Sequence, residues 1–487
     1  MAEQSLKDKT AKGLFWGGVS NGVQQLLGML FGIYLARILN AEDYGLVGML
    51  AIFTGIAGSI INSGFTVALT NKVDATHKEY NAVFWFTFFV GLFIYILLYF
   101  CAPLISSFYG RSELTSLSRV LFLSFFFSGI ASVPYTVMFK RLMVKEQAKI
   151  DVFSLLLSGI IGVFLAMKGM AYWALAIQSM VYISVNSLLK CIVSPWRPTF
   201  EFDFRPLKDM FSFSVKLFFT NVFTQINNNV FSVLLGRLYN AAQVGYYTQG
   251  YKWMSMGNTF LSGMINSVAQ PVLVEVREDR ERQLHVFRKM ARFAAFVSFP
   301  AMLGLAFVAP EFILVTIGEK WMPSVPILQI LCFLGAIYPI WILYTQILIS
   351  HGKSDLYLYG NMCQGIVQLV LLCCMAGYGI KWMVITYVVT YFIFLFFWHY
   401  WVYRIIHMKI VYLAKDVLPY LLITVGVFVL VSFLIRFFSN NYTLLFLKIV
   451  LSIFLYVSIL WFSRSVVFRD CVYLLIKKKI NDNRDLS

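Results

Sequence analysis

The chain has 487 residues, of which 60% are hydrophobic and 13% are charged, and its mean hydropathy is +0.75. This composition excludes an ordinary soluble globular protein and predicts an all-α integral membrane protein. The formal net charge of +17 is also typical of proteins that bind nucleic acid, but here most of the basic residues lie between apolar runs. That distribution follows the positive-inside rule and needs no nucleic-acid partner.

Runs of about 20 apolar residues predict fourteen transmembrane helices. They lie near residues 14–36, 45–69, 82–104, 117–138, 150–167, 171–192, 211–236, 246–272, 292–317, 325–349, 356–377, 380–402, 415–436 and 443–463. Placing both termini in the cytoplasm puts most of the 40 Lys and Arg residues in cytoplasmic segments. We therefore expect a multi-pass protein with both termini inside.

The first and seventh spans carry matching residues at an offset of 200 positions. The matching positions are Asn21 and Asn221, Gln25 and Gln225, Arg37 and Arg237, and the stretches 40–45 and 240–245, which begin Asn-Ala and end in Gly. Later echoes keep the same order, up to Tyr135-Thr136 and Tyr344-Thr345. Because six spans separate the two copies, we infer two parallel six-helix repeats with a cavity between them.

This duplication predicts four parts. An N-terminal six-helix lobe covers 1–195, a C-terminal six-helix lobe covers 196–408, an extra helix pair covers 409–464, and a basic cytoplasmic tail covers 465–487. The tail has the composition of a segment that lies on a membrane surface.

The stretch from Phe211 to Leu273 is apolar enough for a membrane but unusually polar within it. A lysine at the bilayer centre costs roughly 2.5–3.5 kcal/mol on insertion scales, so we expect Lys216 and Lys252 to face a hydrated cavity. Asn221, Gln225 and Asn228 widen the polar stripe that carries Lys216, and Asn266 shares the face of Lys252. The alternative is that the amides join helices to one another by hydrogen bonds.

Nothing in the sequence favours catalysis. The predicted loops are short, and they contain no HExxH, GxSxG or P-loop motif. The seven cysteines lie in or beside apolar runs without metal-ligand spacing. We expect neither an enzyme nor a metal or other cofactor.

Several motifs together resemble WzxC-type polysaccharide exporters. They are Ser5-Leu6-Lys7-Asp8-Lys9-Thr10, Leu35-Ala36-Arg37-Ile38-Leu39, Glu42-Asp43-Tyr44-Gly45, Tyr80-Asn81-Ala82-Val83-Phe84-Trp85, Trp196-Arg197-Pro198 and Gly318-Glu319-Lys320-Trp321. That family belongs to the multidrug/oligosaccharidyl-lipid/polysaccharide (MOP) superfamily, with the Wzx flippases and the MATE drug exporters. The resemblance implies a V-shaped pair of lobes, alternating access and export of lipid-linked sugars across a bacterial inner membrane.

The cargo implied by the resemblance is an undecaprenyl-diphosphate-linked oligosaccharide for O-antigen, capsule or exopolysaccharide synthesis. We expect Lys216 and Lys252 to bind its diphosphate, with Arg37 and Arg237 near the outer mouth. The glycan would bond to amides, namely Asn21, Gln25, Asn221, Gln225, Asn228 and Asn266. A polysaccharide polymerase and glycosyltransferases are the protein partners considered.

Three other functions stay open. A MATE-like multidrug exporter is the nearest, although a cavity with lysines and no acids should repel organic cations. A membrane-embedded polymerase or ligase would be expected to have a large outer loop. A scaffold would leave the intramembrane lysines unexplained.

Overall fold

The computed structural model describes residues 2–61, 64–72, 74–465, 467–470 and 473. This part of the chain contains α-helices and short 3₁₀ turns and no strand. The α-helices are α1 (Ala2–Ile38), α2 (Ala41–Met49), α3 (Ala51–Ile61), α4 (Gly64–Asn71), α5 (His77–Tyr109), α6 (Glu113–Leu121), α7 (Leu123–Lys140), α8 (Val144–Met167), α9 (Tyr172–Val193), α10 (Lys208–Leu238), α11 (Ala241–Glu275), α12 (Arg280–Thr316), α13 (Val325–Ser350), α14 (Ser354–Met375), α15 (Ile380–Ile406), α16 (Ile410–Leu434) and α17 (Asn441–Phe462).

Eleven helical segments in the described residues are long and apolar enough to cross a membrane, and each coincides with a predicted span. The other three predicted spans, 14–36, 211–236 and 246–272, lie on α1, α10 and α11. These helices have 37, 31 and 35 residues, so length does not separate them from the rest. The three helices outside the apolar set are the ones that carry the candidate site. The all-helical membrane architecture is confirmed, while the count of fourteen stays a prediction.

The helices pack as two compact units, residues 1–248 and 249–487. In the first unit, α5 packs on α7, α8 on α9, and α1 on α8. In the second, α12 packs against α13, α16 and α17. The lobe boundary predicted from the repeat, between 195 and 196, stays a prediction. Most of the predicted tail, 465–487, lies outside the described residues.

Helix α10 runs along α3 and α4 in the first unit, and glycines permit the close approach. A Cβ on Gly64 would overlap the backbone of Ser214, and a Cβ on Gly55 would lie 2.7 Å from Oε1 of Gln225. A larger residue at Gly64 would push α10 away, whereas at Gly55 the end of the Gln225 side chain would have to move. These contacts fix which way the polar residues of α10 can face.

The connection from α9 to α10 is built into the first unit. Trp196 and Leu207 belong to a buried apolar cluster with Phe65, Phe84 and Val137. Hydrogen bonds that join Asn81 and Trp85 of α5 to Thr199 and Glu201 hold the intervening segment in place. The start of α10 is therefore positioned by the helices before it.

Candidate functional site

The predicted site residues divide between the two units. The first unit holds Asn21, Gln25, Arg37, Lys216, Asn221, Gln225, Asn228 and Arg237, and the second holds Lys252 and Asn266. A single site that includes both Lys216 and Lys252 stays a prediction.

Lys216 and Lys252 have no acidic partner among the residues that the structure describes. Lys216 is exposed on α10, and Lys252 is half-buried on α11 with its Nζ 5.9 Å from the centre of the Trp253 ring. Within the described part of the chain, no carboxylate forms an ion pair with either ammonium group. Neither lysine is therefore neutralised by a described carboxylate, and both can interact with an external anion.

The hydroxyl groups beside the lysines bond within their own helices. Thr220 donates to the carbonyl oxygen of Lys216 at 2.8 Å, and Thr224 donates to that of Thr220 at 2.9 Å. On α11, Thr259 donates to the carbonyl oxygen of Ser255 at 2.8 Å. This back-bonding satisfies the hydroxyl donor locally. For these three threonines, the bonds seen do not join neighbouring helices.

The amides behave in more than one way. Asn21, Gln25 and Asn228 are exposed, and Asn221 is half-buried. Gln225 packs over Gly55 of α3, so it contributes to the packing of α10 as well as to its polar stripe. Asn266 accepts a hydrogen bond of 3.2 Å from Nε2 of Gln346 on α13. For Asn266, the helix-joining alternative is supported.

The two arginines occupy equivalent helix ends. Arg37 lies in the last turn of α1 and Arg237 in the last turn of α10, and both are exposed. The Arg237 guanidinium lies 5.5 Å from the centre of the Phe108 ring. Positive charge at a helix C-terminus is favourable by itself, so both arginines stabilise their helices whether or not they contact a ligand.

The first unit contains an ion pair that the sequence did not predict. Lys190 Nζ lies 3.6 Å from Oδ1 of Asp151, and Asn186 donates to the same oxygen at 2.7 Å. Lys190 is also 5.1 Å from the centre of the Tyr135 ring. Asp151 lies on α8, and both of its partners lie on α9, so these contacts join the two helices.

Two further pairs join the C-terminal helices to α12. Lys448 on α17 donates to both carboxylate oxygens of Glu311, at 2.8 and 2.9 Å. Asp416 on α16 accepts from Nε of Arg288 at 2.6 Å and lies 3.6 Å from Nε of Arg292. In the sequence, Lys448 lies within a predicted span, and Glu311 and Asp416 lie at span ends. Their partners are more than a hundred residues away and cannot be found from local spacing.

The charges therefore fall into two classes. Three carboxylates in the apolar helices, Asp151, Glu311 and Asp416, each form an ion pair with a basic residue. No described carboxylate forms an ion pair with Lys216 or Lys252. The positive charge of these two lysines favours an anionic ligand over a cationic one.

Comparison with known proteins supplies the decisive observation. The model of the family described as "Polysaccharide biosynthesis protein" matches residues 34–326, more than half of the chain. This chain belongs to that family. Among its relatives, the teichuronic acid biosynthesis protein TuaB of Bacillus subtilis (strain 168) is 27% identical over 358 residues, which are 73% of this chain and 74% of TuaB. The lipopolysaccharide biosynthesis protein WzxC of Escherichia coli (strain K12) is 23% identical, and the match covers 72% of each chain.

Solved structures show the same fold. The lipid II flippase MurJ, in an inward closed conformation, superposes with a TM-score of 0.76 at 17% identity, covering 94% of this chain and 99% of MurJ. An inward-facing MATE multidrug resistance transporter of the MOP superfamily gives a TM-score of 0.62 at 16% identity, covering 80% of this chain and 96% of that chain. The resemblance to WzxC-type proteins is confirmed, and the fold is the one seen in a MATE transporter of the MOP superfamily.

Proposed function

We propose that this member of the polysaccharide biosynthesis protein family flips a lipid-linked oligosaccharide across the bacterial inner membrane by alternating access. The cargo is an undecaprenyl-diphosphate-linked oligosaccharide destined for a surface polysaccharide. In this proposal both termini are cytoplasmic, and the protein is a transporter that makes and breaks no covalent bond. Glycosyltransferases supply its substrate, and a polysaccharide polymerase consumes its product.

The observation that carries the proposal is the contrast between the paired carboxylates and the unpaired lysines. A diphosphate leaving water needs cations that are not already neutralised, since a buried ion pair has little attraction left for a third charge. Lys216 and Lys252 meet that requirement, whereas Lys190 and Lys448 are held by acids. The two polar helices α10 and α11 then supply amides and hydroxyls for the glycan.

The same contrast argues against the alternative. A MATE-like exporter of organic cations needs an anionic or neutral path, whereas Lys216 and Lys252 are positive and have no ion-pair partner among the described residues. The structural likeness to a MATE transporter is a likeness of fold, and fold alone does not set the cargo.

The proposal predicts that the charge of the two lysines matters for export. A charge-assisted hydrogen bond contributes about 1.5–3 kcal/mol, so Lys216→Gln and Lys252→Gln should each lower export roughly tenfold or more. Lys216→Arg and Lys252→Arg should retain most of it. The measurement is the amount of surface polysaccharide in a host that lacks its own exporter, normalised to the level of the protein in the membrane.

Lys208→Gln is the matched control, because Lys208 is an exposed lysine at the start of the same helix α10. It should leave export unchanged. Wild-type export by both Gln variants at normal protein levels would refute the anion site. If the parent protein made the host resistant to organic cations without changing its surface polysaccharide, that result would favour the drug-exporter alternative.

A further inference from the structure

The two stretches that revealed the sequence repeat touch each other through reciprocal glycine contacts. A Cβ on Gly45 would overlap the carbonyl oxygen of Ala241, and a Cβ on Gly245 would overlap the carbonyl oxygen of Ala41. Gly45 and Gly245 are equivalent positions at the offset of 200, and so are the two alanines that they contact, Ala241 and Ala41. Such an exchange is what an isologous contact about a two-fold axis gives.

The next turn of the two segments continues the contact. A Cβ on Gly48 would lie 2.6 Å from Oγ1 and 3.7 Å from Cβ of Thr248, and 3.3 Å from Cγ1 of Val244. Gly45, Gly48, Val244 and Gly245 are all buried. All of these residues belong to the first packing unit, 1–248.

The surrounding helices support this contact. Tyr109, at the end of α5, donates its hydroxyl to the carbonyl oxygen of Met49 at 3.2 Å. A Cβ on Gly236 of α10 would lie 2.8 Å from both Cγ of Met49 and Cε1 of Tyr109. The end of α2 is therefore enclosed by α5 and α10 in addition to the start of α11.

We propose that residues 41–48 and 241–248, the paired segments, form the seal that closes the extracytoplasmic end of the substrate path. This inference rests on the proposed function and on the orientation with cytoplasmic termini. Helices whose backbones touch at glycine leave no space for a sugar ring. The paired segments must separate in each transport cycle, and the two reciprocal glycines let them close again.

A side chain at either glycine should prevent closure. The clash would be with a backbone carbonyl, which no change of rotamer can relieve, so Gly45→Ala and Gly245→Ala hold the segments apart. Both variants should export less polysaccharide than the parent at equal protein levels. Gly58→Ala, on α3 in the same predicted span, is the control, because nothing lies within 4 Å of the added Cβ. It should export normally.

A reversible cross-link tests the seal directly. The 3.7 Å separation expected between Cβ atoms at positions 48 and 248 lies within the range of natural disulfides. The Gly48→Cys/Thr248→Cys variant should form a disulfide on oxidation, lose export to the level of cells without the protein, and recover on reduction. The control is Thr87→Cys/Ser132→Cys, which joins α5 to α7 where the native hydroxyl oxygens are 2.7 Å apart. Its disulfide should leave export unchanged.

Export at the parent rate with the Gly48→Cys/Thr248→Cys disulfide fully formed would overturn the seal. A second readout separates this failure from failure of the proposed function. In the single variant Gly48→Cys, a membrane-impermeant maleimide added outside should label the protein above the parent's background. If the parent exports no polysaccharide, the proposed function fails; labelling then supports the seal and lack of labelling overturns it.

Discussion

Asn81 uses both ends of its side-chain amide to hold the connection between α9 and α10. Its Oδ1 accepts from the backbone N–H of Thr199 at 2.9 Å, and its Nδ2 donates to the carbonyl oxygen of Glu201 at 2.7 Å. Trp85 adds a hydrogen bond of 2.7 Å to the carbonyl oxygen of Thr199. The asparagine is 3% exposed, so water cannot replace it. Two of the motifs that carry the family resemblance meet in this one contact region.

Replacing Asn81 should destabilise the protein. Asn81→Ala removes the side-chain partner of the Thr199 N–H and of the Glu201 carbonyl, a loss of about 0.5–1.5 kcal/mol for each hydrogen bond. Asn81→Asp should also destabilise, since a carboxylate still accepts from Thr199 but cannot donate to Glu201. The measurement is thermal unfolding of the purified protein in detergent. Lys78→Ala, an exposed change one turn away, should unfold at the parent temperature; equal temperatures for all variants would contradict the assigned bonds.

Individual site residues could be predicted from the sequence only in part. The polarity of Lys216 and Lys252 in an apolar stretch, and the lack of nearby acids, were readable because both are local properties. The contact of Asn266 with Gln346 was not, because it joins residues 80 positions apart. The packing of Gln225 over Gly55 depends in the same way on how α10 lies against α3.

At the scale of helices, the C-terminal pair α16 and α17 is tied to α12 by charge. Lys448 and Glu311 are both largely buried, with side chains 13% and 12% exposed. The Lys448 ammonium also donates to the carbonyl oxygen of Phe307 at 3.2 Å. Tyr456 donates to the carbonyl oxygen of Phe296 at 2.9 Å, one more bond between α17 and α12.

Breaking this pair on one side should cost more than removing both charges. Lys448→Met or Glu311→Gln alone leaves one buried group without its partner, and such single changes in buried pairs cost about 3–5 kcal/mol. The double variant Lys448→Met/Glu311→Gln should recover much of the loss. The measurement is thermal unfolding of the four proteins in a double-mutant cycle. Additive losses, with the double variant the least stable, would show that the two groups do not stabilise each other.

The helices themselves were the most predictable level. Eleven predicted spans coincide with apolar helices because hydrophobic runs of this length have few alternatives in a membrane. Within span two, α2 ends at Met49 and α3 begins at Ala51, a break that the apolar pattern did not contain. Close approaches by α10 and α11 occur at Gly45, Gly48, Gly55 and Gly64 of this span, and they arise only in the folded chain.

At the scale of the molecule, the comparisons show the family and the fold. The chain belongs to the polysaccharide biosynthesis protein family, and its fold is shared with a lipid flippase. Binding of an anionic cargo by Lys216 and Lys252 stays a proposal. The repeat stays an inference from the sequence, in which the matching stretches keep their order at an offset that begins at 200 residues. The reciprocal contacts of Gly45 and Gly245 could not be predicted from it, because they are a property of the folded segments.

The most direct test is transport by the purified protein in lipid vesicles. Vesicles would carry a lipid-linked oligosaccharide isolated from polysaccharide-producing cells, and a glycan-cleaving enzyme added outside would report the fraction that has reached the outer leaflet. We predict that the protein makes inner-leaflet glycan accessible faster than in protein-free vesicles, and that Lys216→Gln/Lys252→Gln slows this at equal protein content. Accessibility no faster than in protein-free vesicles would contradict the proposed function.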